Sequence, residues 1–177
     1  MAADVPDALV LRRHRDLGGA QRRGIWARRL VLSALAAVSL LALLNVFGQR
    51  PETRVAVAPA ASLELYAPAT VRGGLLWSAR FHVTAHRELR RATLVLDPGW
   101  AEGMAINTIE PSPAGEASRD GRLALELGHI PAGGSYLLFV QFQVNPTNVA
   151  WHRQQNVELD DGDRRILSLH RSVTIFP

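Results

Sequence analysis

The hydrophobic pattern changes character partway along the chain. From Leu30 to Phe47 the run LVLSALAAVSLLALLNVF holds eighteen residues without a charge. From Ser62 onward, apolar and polar positions alternate with period two. The first pattern predicts an apolar helix. Eighteen residues span about 27 Å at ~1.5 Å per residue, close to the ~30 Å of bilayer hydrocarbon. Ile25, Trp26 and Ala27 extend it by a turn, which gives a transmembrane helix over 25–47. No polar face runs along it, as a buried helix of a soluble domain would require. Gly48 to Ala61, GQRPETRVAVAPAA, carries Pro51 and Pro59 and reads as a short semi-extended stalk.

The second pattern predicts strands. Ser62–Tyr66 is a short one. In Leu75–Thr84, Leu75, Trp77, Ala79, Phe81 and Val83 share one face. Ala92, Leu94 and Leu96 alternate up to a turn at Asp97-Pro98-Gly99-Trp100. Met104–Ile109 is weaker, Pro111–Gly121 reads as a loop, and Leu123, Leu125 and Leu127 alternate again. Tyr136–Val144 is the strongest strand, with Leu137 and Phe139 making its start apolar on both faces, as in a central strand. Val157–Leu159 and Ile166–Phe176 flank Asp160-Asp161-Gly162-Asp163, a hairpin signal. Seven to eight strands in residues 62–177, with no helical periodicity, predict an all-β domain: an antiparallel β-sandwich behind one transmembrane helix.

Charge adds an orientation. Residues 1–29 hold seven Arg against three Asp, whereas residues 50–177 hold thirteen Arg and thirteen acids. The net +4 of the chain therefore sits entirely in the N-terminal tail. A nucleic-acid-binding domain would carry its excess on the folded part; a basic tail before an apolar helix marks the cytoplasmic side instead. Residues 1–24 are then a cytoplasmic tail. Arg22, Arg23, Trp26, Arg28 and Arg29 are interfacial anchors against the lipid bilayer, and the sandwich lies outside the membrane. All twenty basic residues are Arg, which with the abundant Ala suits a GC-rich bacterial genome and a bacterial plasma membrane. The absence of Cys excludes a disulfide framework, a thiolate metal site and a Cys nucleophile.

Leu125-Glu126-Leu127-Gly128-His129-Ile130-Pro131-Ala132-Gly133-Gly134-Ser135, followed by the Tyr136–Val144 strand, resembles the late signature of bacterial surface immunoglobulin-like repeats. Val71-Arg72-Gly73-Gly74 is similar to their early Gly turn, and Leu94–Pro98 occupies the place of their mid-domain Pro-Gly turn. The resemblance covers residues 62–147. The chain departs from the pattern in having a single copy and a C-terminal hairpin, Val157–Phe176. The resemblance implies adhesion, spacing or protein contact rather than catalysis. On their own, Gly128 and Gly133 read as turn residues.

Candidate chemistry is sparse. His82 and His86 are four apart, about 13 Å on a strand at ~3.3 Å per residue, so they are no metal pair. Asp160, Asp161 and Asp163 lack the further spaced ligands of a calcium loop and read as a turn. No Gly-x-Ser-x-Gly elbow or phosphate-binding Gly loop occurs. Neither a cofactor nor a metal is expected. Two tryptophans, Trp100 and Trp151, fall in predicted loops, where a large ring either caps the sandwich or forms a contact surface. Ser33 and Ala37, one helical turn apart, would permit close packing of two such helices and hence a homo-oligomer.

Three readings follow. The leading one is a single-pass protein, N-terminus cytoplasmic, presenting the domain for protein interaction as an accessory or structural part of a cell-envelope complex. Its partners would be a membrane or envelope protein and the bilayer, not nucleic acid. The second is an exported soluble binding protein released by cleavage after Ala58 or Ala60. The third is a small envelope enzyme, which would need His82, His129 and His170 brought together with loop acids.

Overall fold

The structure, a computed structural model, describes residues 12–46 and 48–177, with side chains from residue 23. The anchor expected at Arg22 therefore lies outside the described side chains, as does most of the tail, and Phe47 is likewise outside. Two compact units divide the chain, residues 1–46 and 47–177.

In the first unit, helix α1 (Arg12–Leu43) begins well before the expected start at residue 25 and ends before the expected residue 47. Its end has a local cause. Val46 N–H donates to the Leu41 carbonyl and Asn45 N–H to the Ala42 carbonyl, both at 3.0 Å. Asn45 sits at φ 54°. This is a Schellman cap, with Asn taking the left-handed position that glycine usually fills. Residues 23–43 form a stretch long and apolar enough to cross a membrane.

In the second unit the strands are β1 (Pro51–Val57), β2 (Ala61–Pro68), β3 (Thr70–Arg72), β4 (Leu76–Ala85) and β5 (Leu89–Leu96). A 3-10 turn, Pro98–Trp100, leads to β6 (Met104–Glu110), β7 (Gly115–Arg119), β8 (Arg122–Ile130) and β9 (Ser135–Val144). The chain closes with β10 (Ala150–Gln154), β11 (Val157–Asp161), β12 (Arg164–Leu169) and β13 (Ser172–Phe176). One five-stranded sheet runs β1-β2-β4-β9-β6 and a second runs β12-β11-β5-β8-β7. A three-stranded sheet, β10-β13-β3, adds the parallel pair β13–β3 to otherwise antiparallel pairing. The domain is an immunoglobulin-like β-sandwich, with thirteen strands among the described residues rather than seven to eight.

Alternation positions the core. Trp77, Ala79, Phe81 and Val83 of β4 and Leu138, Val140, Phe142 and Val144 of β9 point inward from the first sheet. Leu94 and Leu96 of β5, Leu125 of β8 and Val157 and Leu159 of β11 meet them from the second. Four segments differ from the sequence reading. Residues 115–119, read as part of a loop, are strand β7, paired along β8 from Gly115↔Glu126 to Arg119↔Arg122. Residues 51–57 are not stalk: β1 pairs with β2 from Pro51↔Pro68 to Val57↔Ser62. Pro51 is tolerated because it is the first residue of an edge strand, where its missing N–H breaks no ladder. Residues 166–176 are not one strand; His170 and Arg171 separate β12 from β13, which belong to different sheets. Gly128 is not in a turn: it lies at a register shift within β8, at φ 81°, the left-handed conformation a bulge needs and glycine supplies.

Trp100 also differs. It is 1% exposed, not a surface contact. The Asp97–Trp100 connection carries the chain from the second sheet to the first, and the indole drops between them. It lies 5.4 Å from Phe81, 5.6 Å from Phe142 and 6.0 Å from Trp77, measured between ring centroids. Its Nε1 donates to the Asn156 carbonyl at 3.0 Å. The Arg171 guanidinium lies 5.3 Å from the ring centroid. At Gly99 a Cβ would overlap the Gln154 carbonyl oxygen, so only glycine permits this approach. Trp100→Ala is expected to cost about 3–5 kcal/mol of stability and Gly99→Ala about 1–3 kcal/mol, read by denaturant unfolding of the full chain.

Candidate interaction surfaces

The two five-stranded sheets differ in what covers their outer faces. On the second sheet, the face opposite the core carries Thr93, Val95 and Ala124, all buried. They lie beneath charged side chains from neighbouring register positions. Arg122 donates to Glu158 at 2.7 Å, Arg165 reaches the same carboxylate at 3.1 Å, and Arg119 lies 3.7 Å from Asp160. The arginine stems shield the small residues while their heads stay hydrated. Val95 and Ala124 are thus covered by the chain itself, while a cleft lined by Arg91, Thr93, Arg119 and Glu126 opens beside them.

The first sheet has no such cover. Thr53, Tyr66, Arg80 and Phe139 are successive register partners across β1, β2, β4 and β9. The next row on the same face is Val55, Glu64, His82 and Leu137. Leu137 is 42% and Phe139 45% exposed, and Tyr66 and Val55 are exposed too. The Arg80 guanidinium stacks 4.8 Å from the Tyr66 ring centroid, which holds the polar head over an aromatic instead of over the apolar pair. Leu137 and Phe139 do belong to a central strand, but nothing in the domain packs on that side. Sequence alternation identified the strand; only the register shows that Val55, Tyr66, Leu137 and Phe139 gather on one face, with Val57 and Leu76 exposed at its two ends.

The second surface lies at the end of the domain where the chain enters, here the tether end. Ala69 N–H donates to the Arg50 carbonyl at 3.2 Å, and Gln49 Nε2 to the Leu76 carbonyl at 3.0 Å. Gly73 N–H donates to the Phe176 carbonyl at 2.7 Å and Gly74 N–H to the Val144 carbonyl at 3.0 Å. Leu75, Leu76, Val149 and Trp151 are exposed there. Trp151, at 73% exposure, lies in β10 and not in a loop. The β10–β13 register slips between Ala150 and Arg153, and His152 inside that bulge has φ 53°. Bulges re-aim side chains, and a left-handed non-glycine residue costs energy that surrounding structure must offset. Trp151 packs edge-on against His152 and Phe176, with centroids at 5.2 and 6.1 Å.

The remaining sequence candidates separate. Ser33 and Ala37 are exposed on α1, as are Arg23, Arg28 and Arg29. The Arg29 guanidinium lies 5.8 Å from the Trp26 ring centroid. The three histidines of the enzyme reading do not meet. His82 is on the outer face of the first sheet, and His129 pairs with Glu88 at 3.1 Å from β8 of the second. His170 lies between β12 and β13, bonded to Asn156 at 3.1 Å. Among the described residues no group of three or more His, Asp or Glu could hold a metal. Asp160, Asp161 and Asp163 form the β11–β12 hairpin, with Asp161 Oδ1 accepting from Arg91 N–H at 2.8 Å.

Burial raises the Asp160 carboxyl above its ordinary 3.8; Glu158 adds to this, and Arg119, Arg165 and Arg122 oppose it. A carboxyl raised in the folded state stabilises the fold below its unfolded pKa and loses that contribution as pH rises through the folded value. Asp160→Asn is therefore expected to raise the thermal midpoint at pH 7, with the gain fading as pH falls through the raised folded value toward the ordinary 3.8. At the bulge, His152→Val is expected to lower stability by about 1–2 kcal/mol, whereas His152→Gly leaves it unchanged or higher. Both are read by thermal unfolding of the full chain.

No protein-family model matches this chain, and no curated protein matches it. Similar solved structures exist. AvmM, which catalyses macrocyclization in alchivemycin A biosynthesis, is 11% identical with a TM-score of 0.48, over 73% of this chain and 95% of that one. CaCohA2 from Clostridium acetobutylicum is 9% identical with a TM-score of 0.45, over 67% and 92%. The CARDB domain of PF1109 from Pyrococcus furiosus, solved with di-metal ions, is 13% identical with a TM-score of 0.39, over 71% and 88%. What each of these binds or catalyses is a property of that protein.

Proposed function

We propose that this is a single-pass membrane protein whose sandwich serves protein interaction, as an accessory or structural component of a cell-envelope complex. The observation that carries the reading is the uncovered outer face of the first sheet. A monomeric domain rarely exposes apolar patches beyond a few hundred Å² unless something binds there. Here Val55, Tyr66, Leu137 and Phe139 share a face while ion pairs cover Val95 and Ala124 on the opposite sheet. A mixed face with Glu64, Arg80 and His82 between the apolar groups suits a protein partner, which supplies both apolar contact and hydrogen bonds. Tyr66 and Arg80 are residue types that anchor such contacts.

The anchor half rests on the charge-free run that begins at Leu30, the Arg-rich flank and the Arg29–Trp26 stack. The bacterial plasma membrane, with the N-terminus cytoplasmic and the domain outside, follows from the positive flank. The Ser33/Ala37 face is a second contact site in this reading, packing against a second copy. Strand β1 favours an uncleaved chain over a released one. Cleavage after Ala58 would remove every residue paired in Pro51↔Pro68 to Val57↔Ser62 and expose the edge of β2.

Site-specific photocrosslinking in native membranes tests the interaction. A crosslinker at Leu137 is expected to capture one defined membrane or envelope protein, whereas a crosslinker at Ala117 on β7 of the second sheet captures none. Phe139→Asp in the Leu137 background is expected to abolish the adduct while the chain stays folded. Equal yields at both positions would remove this surface as the binding face.

A further inference from the structure

We infer that the tether end of the sandwich is itself a membrane-contact surface, seating Trp151, Leu75, Leu76 and Val149 in the headgroup region of the bilayer. The inference rests on the reading of α1 as a membrane anchor and adds a second lipid contact to it. Three observations carry it.

The first is reach. The helix cap closes at Val46, and Ala69 already holds the Arg50 carbonyl, so the domain's own hydrogen bonding begins by residue 50. From Val46 to Pro51 there are five Cα steps, which at full extension span about 18 Å at most. Headgroup and interfacial regions occupy roughly 5–8 Å on each side of the hydrocarbon. A domain tethered so closely cannot hold its point of attachment far from lipid. Bonding of Gln49 to the Leu76 carbonyl shortens the free length further.

The second is composition. The exposed side chains around that attachment are Leu75, Leu76, Val149 and Trp151, and the Trp ring is the most exposed aromatic of the sandwich. An indole with an apolar body and one N–H donor prefers the interface between hydrocarbon and water. Arg50 and Arg72 are exposed beside these groups, where their stems can lie along lipid while the guanidinium groups meet phosphate. The acids of this end are engaged: Glu52 pairs with Arg54 at 2.5 Å, and Glu102 lies 3.7 Å from Arg153.

The third is presentation. The Trp151 ring is held outward by the β10 bulge, with His152 in the left-handed region and Phe176 behind the ring. The opposite end of the sandwich carries Pro59, Arg87 and Pro131–Gly133, with Val57 as its exposed large apolar side chain and no exposed aromatic among its described residues.

The chain lacks Cys, so single cysteines can be introduced for spin labels in the full chain, reconstituted in phosphatidylcholine–phosphatidylglycerol vesicles. Three positions suffice: Leu35 on the helix side away from Ser33 and Ala37, Val149 at the tether end and Ala132 at the opposite end. Collision with oxygen, which partitions into lipid, is compared with collision with a water-soluble nickel chelate. The expected result is a high oxygen-to-nickel ratio at Leu35, an intermediate one at Val149 and a low one at Ala132. Trp151→Gln is expected to shift Val149 toward the Ala132 value. If Leu35 reads as hydrocarbon while Val149 matches Ala132, the tether end stands in water and the inference fails, with the anchor intact. Suppressed collision with both reagents at Val149 would mean a protein cover and overturn it equally. A water-like reading at Leu35 would remove the anchor, and the lipid contact with it.

Discussion

The structure depends on placing one tryptophan between two sheets. Trp100 enters on a connection that changes sheets, so its burial is also what couples β5 of one sheet to β6 of the other. Around it, Phe81, Phe142 and Trp77 supply aromatic faces, and Asn156 takes up the indole N–H. Gln155 donates to the Gly99 carbonyl at 3.2 Å, and Arg171 donates to the Pro68 carbonyl at 2.6 Å from above the ring. Burial pushes the Arg171 guanidinium down to about 10, with the charge of Glu52 opposing and that of Arg54 assisting. It stays protonated at neutral pH, held by a carbonyl and an aromatic face in place of water. Strands β2, β10, β11 and β13 are thereby tied to one centre. The tether end, which holds the Trp151 bulge, is built on this rigid base.

The sandwich solves its two outer faces differently, and the difference is chemical. On the second sheet Glu158 and Asp160 of β11 stand where Arg119, Arg122 and Arg165 can reach them. Such partly exposed pairs contribute little stability each, yet their stems keep water from Thr93, Val95 and Ala124. On the first sheet the polar outer-face positions include Glu64, Arg80 and His82, with Glu110 of β6 beside Phe139 in register, and Leu137 and Phe139 stay exposed among them. Arg80 turns to Tyr66 instead. A central strand with exposed Leu and Phe on an otherwise well-packed domain is a local exception to burial, and such exceptions mark function more often than error in packing.

Period-two alternation made β4, β5, β8 and β9 legible in sequence, because each has one face in a common core and the pattern has no other use. The hairpin at Asp160–Asp163 was legible from turn chemistry. What the pattern concealed has identifiable causes. Strand β1 is an edge strand flanked by Pro51 and Pro59, and edge strands need neither full alternation nor every N–H. The break at His170-Arg171 was hidden because residues 166–176 are apolar at alternate positions on both sides of it; only the change of sheet separates them. Trp100 follows a Pro-Gly turn, which signals surface position, whereas its burial comes from tertiary packing alone. Of the surface candidates, Trp151 stayed exposed while Trp100 did not. The apolar outer face was half visible, since Leu137 and Phe139 read as double-sided burial and only three-dimensional register shows one side bare.

The two proposed surfaces constrain each other. Strands β2, β4 and β9 run between the tether end and the opposite end. A sandwich seated on its tether end therefore directs those strands away from the bilayer, and the outer face of the first sheet looks sideways along it. On the two proposals together, a partner standing on the same membrane at comparable height would meet that face directly. A freely diffusing ligand arriving from solution would find no advantage in such an orientation. Seating also removes rotational freedom before the partner is met, and binding then loses less orientational entropy than it would for a domain on a long flexible stalk. On that reading the short link and the bulged tryptophan are parts of one device, in which lipid contact would set the angle at which the bare sheet is offered.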